Sequence, residues 1–380
     1  MRILTCIGDA TSPQTWSGTP FYFLKSAQRL GFLDGGWRLD PRQFPIRKLA
    51  WNAWRQLRYG EHGGFQYSNM FLRKLQTQTG PLPDGVEFIS HFPLFPEVRK
   101  IEASFYIDAT LSQNFYDYGL AQEGLVGNRT VAESLAREKD QYAAAKNIVC
   151  MSSWAARSVV EQYGISPHKV HVIPAGANVS TPPPPALSLY TRSFSPLRLG
   201  FIGKDWRRKN LLLVLEVAEI LQDRGQETEV LAAGFSPADV PRHPRLHAFG
   251  YIDKQKYPDR FADFFRRCHF TCLLSSAEAF GLSNRESLVH GSPVLARNIG
   301  GIADTLPDGC GHLFPAEATA GDIADTIQRE IREPERYYAL RSRIAEQTHS
   351  FTWDAAVRKF MALWAGSIEF SYAKSSPLYT

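Results

Sequence analysis

The sequence lacks the short motifs that mark the common phosphate-binding enzymes. It has no Gly-x-x-x-x-Gly-Lys-Ser/Thr loop and no Gly-x-Gly-x-x-Gly after an apolar strand, which removes support for an ATPase or an NAD-dependent enzyme. No two aspartates lie two positions apart, so the Asp-x-Asp pair that brings Mg²⁺ or Mn²⁺ to a diphosphate is missing. We therefore expect no metal site and no permanently bound cofactor. Basic side chains and a helix N-terminus would have to meet any diphosphate.

The sequence also lacks segments that would carry it into or across a membrane. No run of about 18 uncharged apolar residues occurs, so no spanning helix is expected. Residues 1–7 have the pattern of a short strand without the apolar core of a signal peptide, which predicts a cytoplasmic protein. The five cysteines are an odd number and lie mostly beside apolar runs, as buried free thiols do. The net charge of +5 is mild and no nucleic-acid motif occurs, so no nucleic acid is expected as a partner.

Length and pattern together predict two α/β domains. A chain of 380 residues suits two domains of roughly 150–200 residues each. Short apolar strands alternate with amphipathic helices in both halves, which predicts parallel sheets with crossover helices. Four consecutive prolines at 182–185 interrupt this alternation and predict an extended connector. We place an N-terminal Rossmann-like domain at 1–180, a proline-rich linker at 181–195, a C-terminal Rossmann-like domain at 196–352, and a helix and tail at 353–380 that pack back on the first domain.

The densest group of candidate functional residues lies between Glu278 and Glu286. We expect Glu278 in the loop that leaves a strand and Glu286 in the first turn of the next helix. Between them, Gly281, Leu282 and Ser283 would present backbone N–H groups at a helix N-terminus, which attracts phosphate oxygens. The two carboxylates could accept hydrogen bonds from sugar hydroxyls. A purely structural alternative is a solvated loop acid and a first-turn acid that favours the helix dipole.

A basic segment, residues 203–210, follows another predicted strand and enters a helix expected from Lys209 to Arg224. Lys204 and Lys209 could reach the same phosphates and neutralise charge on a departing leaving group. A solvated basic loop is the alternative. Gly300 and Gly301, after a further strand, either let the backbone approach a ligand or make a tight turn.

These residues resemble the large family of retaining glycosyltransferases with two Rossmann-like domains, known as family four. The family signature is Glu-x-x-x-x-x-x-x-Glu, and the spacing from Glu278 to Glu286 is similar to it. Lys204 stands where the family usually has arginine. The similarity is strong from about Ala144 to Phe314 and thin before that. The other matching segments are residues 152–156, 172–178, 203 with 209–210, 280–283, 293–296 and 300–302.

The resemblance implies the GT-B fold, in which two Rossmann-like domains with parallel sheets face each other across a cleft. It implies acceptor binding by the first domain and nucleotide-sugar binding by the second, with UDP- or GDP-sugar as donor. Glu286 would hold the ribose hydroxyls and Glu278, with the amides at Gly281, Leu282 and Ser283, the donor sugar. The remaining implied roles are diphosphate binding by Lys204 and Lys209, close backbone approach to the diphosphate at Gly18, and base binding along the segment that contains Tyr251 and Ile252.

The resemblance leaves the residue at the anomeric face open. The family usually places a histidine of the first domain there, at the end of a strand. In this chain Asp108 occupies the comparable position, and His91, after the preceding strand, is a second candidate. Asp108, Glu278 and Lys209 are accordingly the candidate catalytic residues.

The expected function is metal-independent, retaining transfer of a hexose from a nucleoside diphosphate sugar to a hydroxyl acceptor, which could be a glycan, a lipid-linked sugar or a small molecule. The alternatives are an epimerase or phosphorylase on the same scaffold, or a catalytically silent protein that binds sugar nucleotides. Peripheral contact with the inner face of a membrane is a further idea, since residues 47–58 combine tryptophans and cations on an expected helix. Its alternative is that Trp51 and Trp54 pack inside the first domain.

Overall fold

The computed structural model of the protein describes residues 1–79, 84–92, 102–121, 124–180 and 193–367. The proline run at 182–185, most of the predicted linker and the end of the predicted tail lie outside these residues. The chain divides into two compact units. The first comprises Met1–Pro174 together with the segment that begins at Val357, and the second is Ala175–Ala356.

The first unit is built on a parallel sheet. Its described strands run in the order β3-β1-β5-β6-β7-β8, and every neighbouring pair is parallel. These strands are β1 (Arg2–Thr5), β3 (Gly35–Gly36), β5 (Glu87–Ser90), β6 (Glu102–Ile107), β7 (Ile148–Cys150) and β8 (Val170–Val172), and a small antiparallel pair joins β2 (Gly8–Asp9) to β4 (Arg38–Leu39).

The helices of the first unit begin where the sequence supplies capping groups. The Ser152 side chain accepts a hydrogen bond from the backbone of Ala155 at the start of α6, and Thr110 forms a capping box with Gln113 at the start of α4. The helices are α1 (Thr19–Arg29), α2 (Pro45–Tyr59), α3 (Asn69–Gln76), α4 (Leu111–Tyr116), α5 (Asn128–Ala144) and α6 (Ser153–Glu161).

The second unit repeats the design with the strand order of a nucleotide-binding fold. Its described strands run β11-β10-β9-β12-β13-β14, all parallel, which is the order 3-2-1-4-5-6 counted within the unit. The strands are β9 (Leu197–Ile202), β10 (Thr228–Ala233), β11 (Leu246–Ala248), β12 (Phe270–Leu273), β13 (Val294–Arg297) and β14 (Gly311–Phe314). The helices are α7 (Leu211–Asp223), α8 (Pro258–Arg267), α9 (Leu282–Val289), α10 (Ala320–Arg332) and α11 (Pro334–Gln347).

The final helix, α12 (Trp353–Trp364), ends within the first unit. There the ring of Phe360 lies 5.1 Å from that of Phe23 and 4.8 Å from that of Tyr106. The indole of Trp364 donates a hydrogen bond of 2.6 Å to Glu87. The predicted return of the last helix is therefore confirmed, and so is the predicted α/β fold with two parallel-sheet Rossmann-like domains.

Two element bounds differ from the sequence pattern for local reasons. The apolar pattern of residues 246–252 predicts a strand, but β11 ends at Ala248, because Gly250 turns the chain with φ +74° and its carbonyl accepts a hydrogen bond from the backbone N–H of Gly234. The helix expected from Lys209 begins only at Leu211, because Asn210 has the left-handed φ of 62°. The cysteines are all buried free thiols, as expected. In the described ranges no helix is long and apolar enough to cross a membrane.

Candidate functional site

The two predicted phosphate-binding loops leave adjacent strands of the second sheet. Strand β9 pairs with β12, and the order of the sheet reverses between these two strands. Residues 203–210 follow β9, and residues 274–281 follow β12. In open parallel sheets, a crevice forms outside the carboxyl ends of the strands at such a reversal and binds ligands. The strand order thus brings together two loops that are far apart in the sequence.

Two cations converge on the carboxylate of Glu278. Lys209 Nζ lies 3.2 Å from Glu278 Oε2, and Arg208 Nη1 lies 3.3 Å from the same oxygen. Ser275 Oγ also donates to Oε2 at 3.3 Å. The side chains of Lys209 and Glu278 are both largely buried. Water screens the attraction between these charges less than it would at an open surface. The two cations therefore hold the Glu278 carboxylate in place.

Arg208 ties the two loops together through more than its charge. Its Nη1 also donates to the carbonyl of Ala277 at 2.5 Å, and its own carbonyl accepts from the backbone N–H of Ser276 at 2.8 Å. Its Nε lies 3.3 Å from Asp205. The guanidinium therefore fixes the position of Glu278 as well as pairing with it.

Two glycines make room for this cluster. A Cβ at Gly203 would lie 2.2 Å from Lys209 Cδ, so the stem of the lysine needs a glycine there. A Cβ at Gly300 would lie 1.8 Å from the carbonyl oxygen of Glu278, and Gly300 has φ +56°. The backbone N–H of Gly301 then donates a hydrogen bond of 3.1 Å to the carbonyl of Ala279. Gly300 also lies in a tight turn, closed by a hydrogen bond of 3.2 Å from the backbone N–H of Ile302 to the carbonyl of Ile299, so the turn interpretation is confirmed. Approach of this backbone to a ligand stays a prediction.

Helix α9 opens at a glycine, and this corrects the predicted place of Glu286. Gly281 is the N-cap with φ +90°, where a Cβ would lie 2.8 Å from Leu273. Leu282 and Ser283 are the first two helical residues, so their N–H groups lack acceptors within the helix. Glu286 lies one turn further on, and the first turn contains no acid. The helix-dipole explanation for Glu286 therefore fails, since that effect is confined to the first turn.

Glu286 has a partner that the sequence did not suggest. Lys254 Nζ lies 2.5 Å from Glu286 Oε1, and both side chains are largely buried. The ring of Phe261 lies beneath the same ammonium at 5.6 Å. The backbone carbonyl of Glu286 accepts from His290 Nδ1 at 2.6 Å. Contacts at the side-chain carboxylate and at the backbone carbonyl thus hold Glu286 in one orientation.

The remaining predicted residues of the second unit differ in exposure. Lys204 is exposed, and its Nζ lies 5.5 Å from the ring centre of Tyr251, which is also exposed. Ile252 is buried in an apolar cluster with Phe261 and Phe265. Its side chain is therefore committed to the core, and only its backbone could contact a ligand. Tyr251 is the residue of this pair with a side chain available for binding.

In the first unit, Gly18 and His91 lie at the corresponding reversal of strand order. Gly18, with φ +92°, is the N-cap of α1 and follows Trp16 and Ser17, which have φ values of 48° and 58°. His91 follows β5, and its backbone N–H donates to Thr5 in the neighbouring β1. The rings of Trp16 and His91 lie 6.1 Å apart. Two non-glycine residues in the left-handed region mark a strained turn of the kind often found at functional sites.

Asp108 and His91 differ in access. Asp108 is half-buried at the end of β6, whereas His91 is buried and its Nδ1 lies 2.5 Å from the carbonyl of Tyr106. Burial lowers the pKa of His91 from 6.5 to about 4, so the ring is neutral at pH 7. Its Nε2 is buried and has no hydrogen-bond partner among the described residues. Asp108 is therefore the more accessible of the two candidates.

Among the residues that the structure describes, no group of three or more histidine, cysteine, aspartate or glutamate side chains is arranged to hold a metal ion. The charged side chains described at the strand-order reversal of the second sheet include Arg208, Lys209 and Glu278, with Asp205 beside Arg208. Sequence reasoning missed the roles of Arg208 and Lys254. Arg208 stood in a predicted basic loop and could have been singled out there, but nothing local to Lys254 pointed to Glu286.

Comparison with known proteins places the fold with GT-B glycosyltransferases. A sucrose-phosphate synthase from Thermosynechococcus elongatus superposes with a TM-score of 0.64 at 16% identity, covering 96% of this chain and 99% of that one. WaaG, a glycosyltransferase involved in lipopolysaccharide biosynthesis, superposes with a TM-score of 0.61 at 13% identity, covering 96% and 100%. HepE from Anabaena, solved in complex with UDP-glucose, gives a TM-score of 0.62 at 12% identity, covering 96% and 100%.

The sequence comparisons agree with the fold. Residues 195–349 match the family described as glycosyl transferases group 1. D-inositol 3-phosphate glycosyltransferase from Gordonia bronchialis is 22% identical over 251 residues, which are 61% of this chain and 55% of that protein. D-inositol 3-phosphate glycosyltransferase 1 from Catenulispora acidiphila is 25% identical over 287 residues, which are 68% of this chain and 67% of that protein. The chain thus spans little more than half the length of the first of these relatives.

Proposed function

We propose that this protein is a retaining glycosyltransferase that moves a hexose from a nucleoside diphosphate sugar to a hydroxyl acceptor without a metal ion. The observation that carries the proposal is the cluster of Lys209, Arg208 and Glu278 at the strand-order reversal of the second sheet. The match of residues 195–349 to glycosyl transferases group 1 covers this cluster. The UDP-glucose complex of HepE supports a nucleotide sugar as donor.

In this proposal the second domain binds the donor. Lys209 and Lys204 bind the diphosphate, and the N–H groups of Leu282 and Ser283, following Gly281, add donors at the start of α9. Arg208, Lys209 and Ser275 all contact Oε2 of the Glu278 carboxylate. In this proposal its other oxygen, Oε1, accepts a hydrogen bond from a hydroxyl of the donor sugar. Glu286 takes the ribose hydroxyls, and Tyr251 with the backbone of Ile252 contacts the base.

The chemical step needs stabilisation of a leaving diphosphate. As the bond from the anomeric carbon to the phosphate oxygen breaks, negative charge grows on that oxygen, and Lys209 stabilises it electrostatically. The acceptor oxygen then forms its bond on the same face of the sugar, which retains the anomeric configuration. Its proton passes to a diphosphate oxygen or to Asp108. The first domain, with Asp108, is assigned to this acceptor side, and the backbone at Gly18 is assigned to the diphosphate, as the resemblance implies.

The proposal is tested by incubating the protein with UDP- and GDP-hexoses and a panel of hydroxyl acceptors. Inositol phosphate, named in its relatives, a lipid-linked sugar and a glycan are the first acceptors to try. NMR should find a new glycosidic bond with the anomeric configuration of the donor, formed equally well in EDTA. An inverted product would reject the retaining assignment, and activity abolished by EDTA and restored by Mg²⁺ would reject metal independence.

One observation favours a second function, that of a catalytically silent protein that binds sugar nucleotides. Asp108 stands where similar enzymes usually carry a histidine, so the acceptor side could have lost its chemistry. A silent protein would bind the donor in calorimetry without hydrolysing or transferring its sugar. An epimerase would instead change the donor without any acceptor, and a phosphorylase would release sugar phosphate when given orthophosphate.

A further inference from the structure

Helix α2 of the first unit exposes an apolar stripe along its whole length. In the described part of the chain, its three leucine and isoleucine residues are the most exposed of all large apolar side chains, with Leu57 89%, Ile46 80% and Leu49 70% exposed. Trp54 is 52% exposed on the same helix. At about 100° per residue, these positions together with Ala50 and Ala53 span an arc of about 140°. That arc is as wide as the stripe with which a helix normally faces a protein core.

The opposite face of α2 already anchors the helix to its domain. Trp51 packs in an apolar cluster with Phe65, and the ring centres lie 5.7 Å apart. Arg55 is buried, donates to Thr130 at 2.6 Å and lies 3.6 Å from both Glu61 and Glu133. The outward stripe is therefore not needed to hold the helix in place. The sequence-based idea that both tryptophans contact a membrane is wrong for Trp51, which faces inward, and remains open for Trp54.

The charges around the stripe have one sign. Helix α2 contains no acidic residue, and by helical geometry Arg47 and Arg58 border the stripe on the side of Trp54. Both arginines are exposed. The nearby acids, Glu61 and Glu133, are paired with Arg55 on the inward side. The exposed face of α2 thus combines apolar side chains with a cationic edge.

We propose that this face docks the protein on a membrane surface that carries anionic lipids. Leu49, Leu57 and Trp54 enter the boundary between headgroups and acyl chains, while Arg47 and Arg58 pair with lipid phosphates. A wide apolar arc beside one cationic edge fits a bilayer interface, which is apolar beneath an anionic layer. The proposal goes beyond the transferase function and does not depend on it, because vesicle binding requires neither donor nor acceptor.

The test is co-sedimentation of the full chain with vesicles at low salt. We expect binding to equimolar phosphatidylcholine and phosphatidylglycerol, weaker binding to phosphatidylcholine alone, and weaker binding to both as salt is raised. Each of Leu49→Gln and Leu57→Gln should lower the partition coefficient at least about tenfold, because a buried leucine contributes about 1.5 kcal/mol or more. An Arg47→Gln, Arg58→Gln double variant should lose most of the preference for the anionic vesicles.

Matched controls separate docking from general effects of substitution. Leu212→Gln changes a leucine on α7 that is 53% exposed, and Lys139→Gln removes an exposed cation on α5. Both should bind vesicles as the wild type does. The α2 variants should keep the wild-type melting temperature, since the replaced side chains are exposed and glutamine is a good helix former. The proposal is overturned if the wild type does not bind anionic vesicles at low salt, or if the α2 variants bind them as well as the wild type does. It is also overturned if the wild type binds no vesicles and instead forms a dimer that Leu57→Gln dissociates.

Discussion

The ammonium of Lys209 lies 3.2 Å from the carboxylate of Glu278, although one residue follows β9 and the other follows β12. Neither residue is adjacent to the other in the sequence. Their proximity results from the pairing of those two strands at the point where the strand order reverses. The pair is therefore a property of the topology, and the first predictions concern what it does.

Replacing Lys209 by alanine should lower turnover about a hundredfold to a thousandfold, the usual cost of removing one preorganised charge donor from an active site. The variant should stay folded, because Glu278 keeps Arg208 and Ser275 as partners. Steady-state kinetics and circular dichroism measure the two effects. Lys139→Ala, on the surface of α5, is the matched control. Wild-type turnover in folded Lys209→Ala protein would contradict a role in stabilising the leaving group.

Arg208 should behave as a positioning residue for Glu278. Arg208→Lys keeps the charge but cannot reach both the Ala277 carbonyl and the Glu278 carboxylate. Loss of one such charge-assisted hydrogen bond costs about 1.5–3 kcal/mol, so kcat/KM should fall about tenfold to a hundredfold. Arg207→Lys, at the exposed neighbouring position, should leave kcat/KM unchanged. Wild-type kcat/KM in the Arg208→Lys protein would contradict a positioning role for the guanidinium.

Two glycines with positive φ offer a matched pair of substitutions. Gly300→Ala would place its Cβ 1.8 Å from the Glu278 carbonyl, whereas Gly225→Ala, at φ +86°, meets nothing within 4 Å. Both should lose about 1–2 kcal/mol of unfolding free energy from the left-handed backbone alone. Gly300→Ala should lose more and should also lose activity, because the Glu278 loop must move. Measured by urea denaturation and turnover, equal losses in the two variants would contradict the close approach.

A buried carboxyl group in the first unit should affect stability through pH. Glu138 in α5 accepts hydrogen bonds from the hydroxyls of Tyr142 and Tyr163 and from the backbone of Leu111. Burial outweighs these bonds and raises its pKa from 4.5 to about 7. Below pH 4.5, where the Glu138 carboxyl group is protonated, the raised pKa adds to the free energy of unfolding. This contribution is lost as the pH rises through 7. His91 acts in the opposite direction, since its pKa is lowered from 6.5 to about 4.

Glu138→Gln separates these two groups. The difference in unfolding free energy, wild type minus variant, should fall as the pH rises from 4.5 to 7, by up to about 1.4 kcal/mol per pH unit, and should be constant above that range. In the variant the rise between pH 4 and 6.5 from His91 and from His290, whose pKa burial also lowers to about 4, should stand out more steeply. Urea unfolding at a series of pH values measures both. Parallel stability curves for the two proteins would contradict a raised pKa of Glu138.

Local patterns predicted much of the fold and the two loops, but not the partners inside the site. Capping residues such as Ser152 and the strand–helix alternation are local signals, and the structure contains the elements they predict. The sequence predicts Glu286 in the first turn of α9, but it lies one turn further on. The position of Gly281 as N-cap depends on packing against Leu273, which is not a local signal. Lys254 could not be paired with Glu286 from sequence, because that contact arises only when the sheet assembles.

The proposed function requires binding of a nucleoside diphosphate sugar at the Lys209–Glu278 cluster, and one measurement tests this binding directly. The melting temperature of the wild type and of Lys209→Ala should be recorded with UDP-, GDP- and ADP-sugars, since a ligand of the folded state raises it. We predict that one donor class raises the melting temperature of the wild type and has little effect on Lys209→Ala. No rise with any donor, or the same rise in both proteins, would contradict the account.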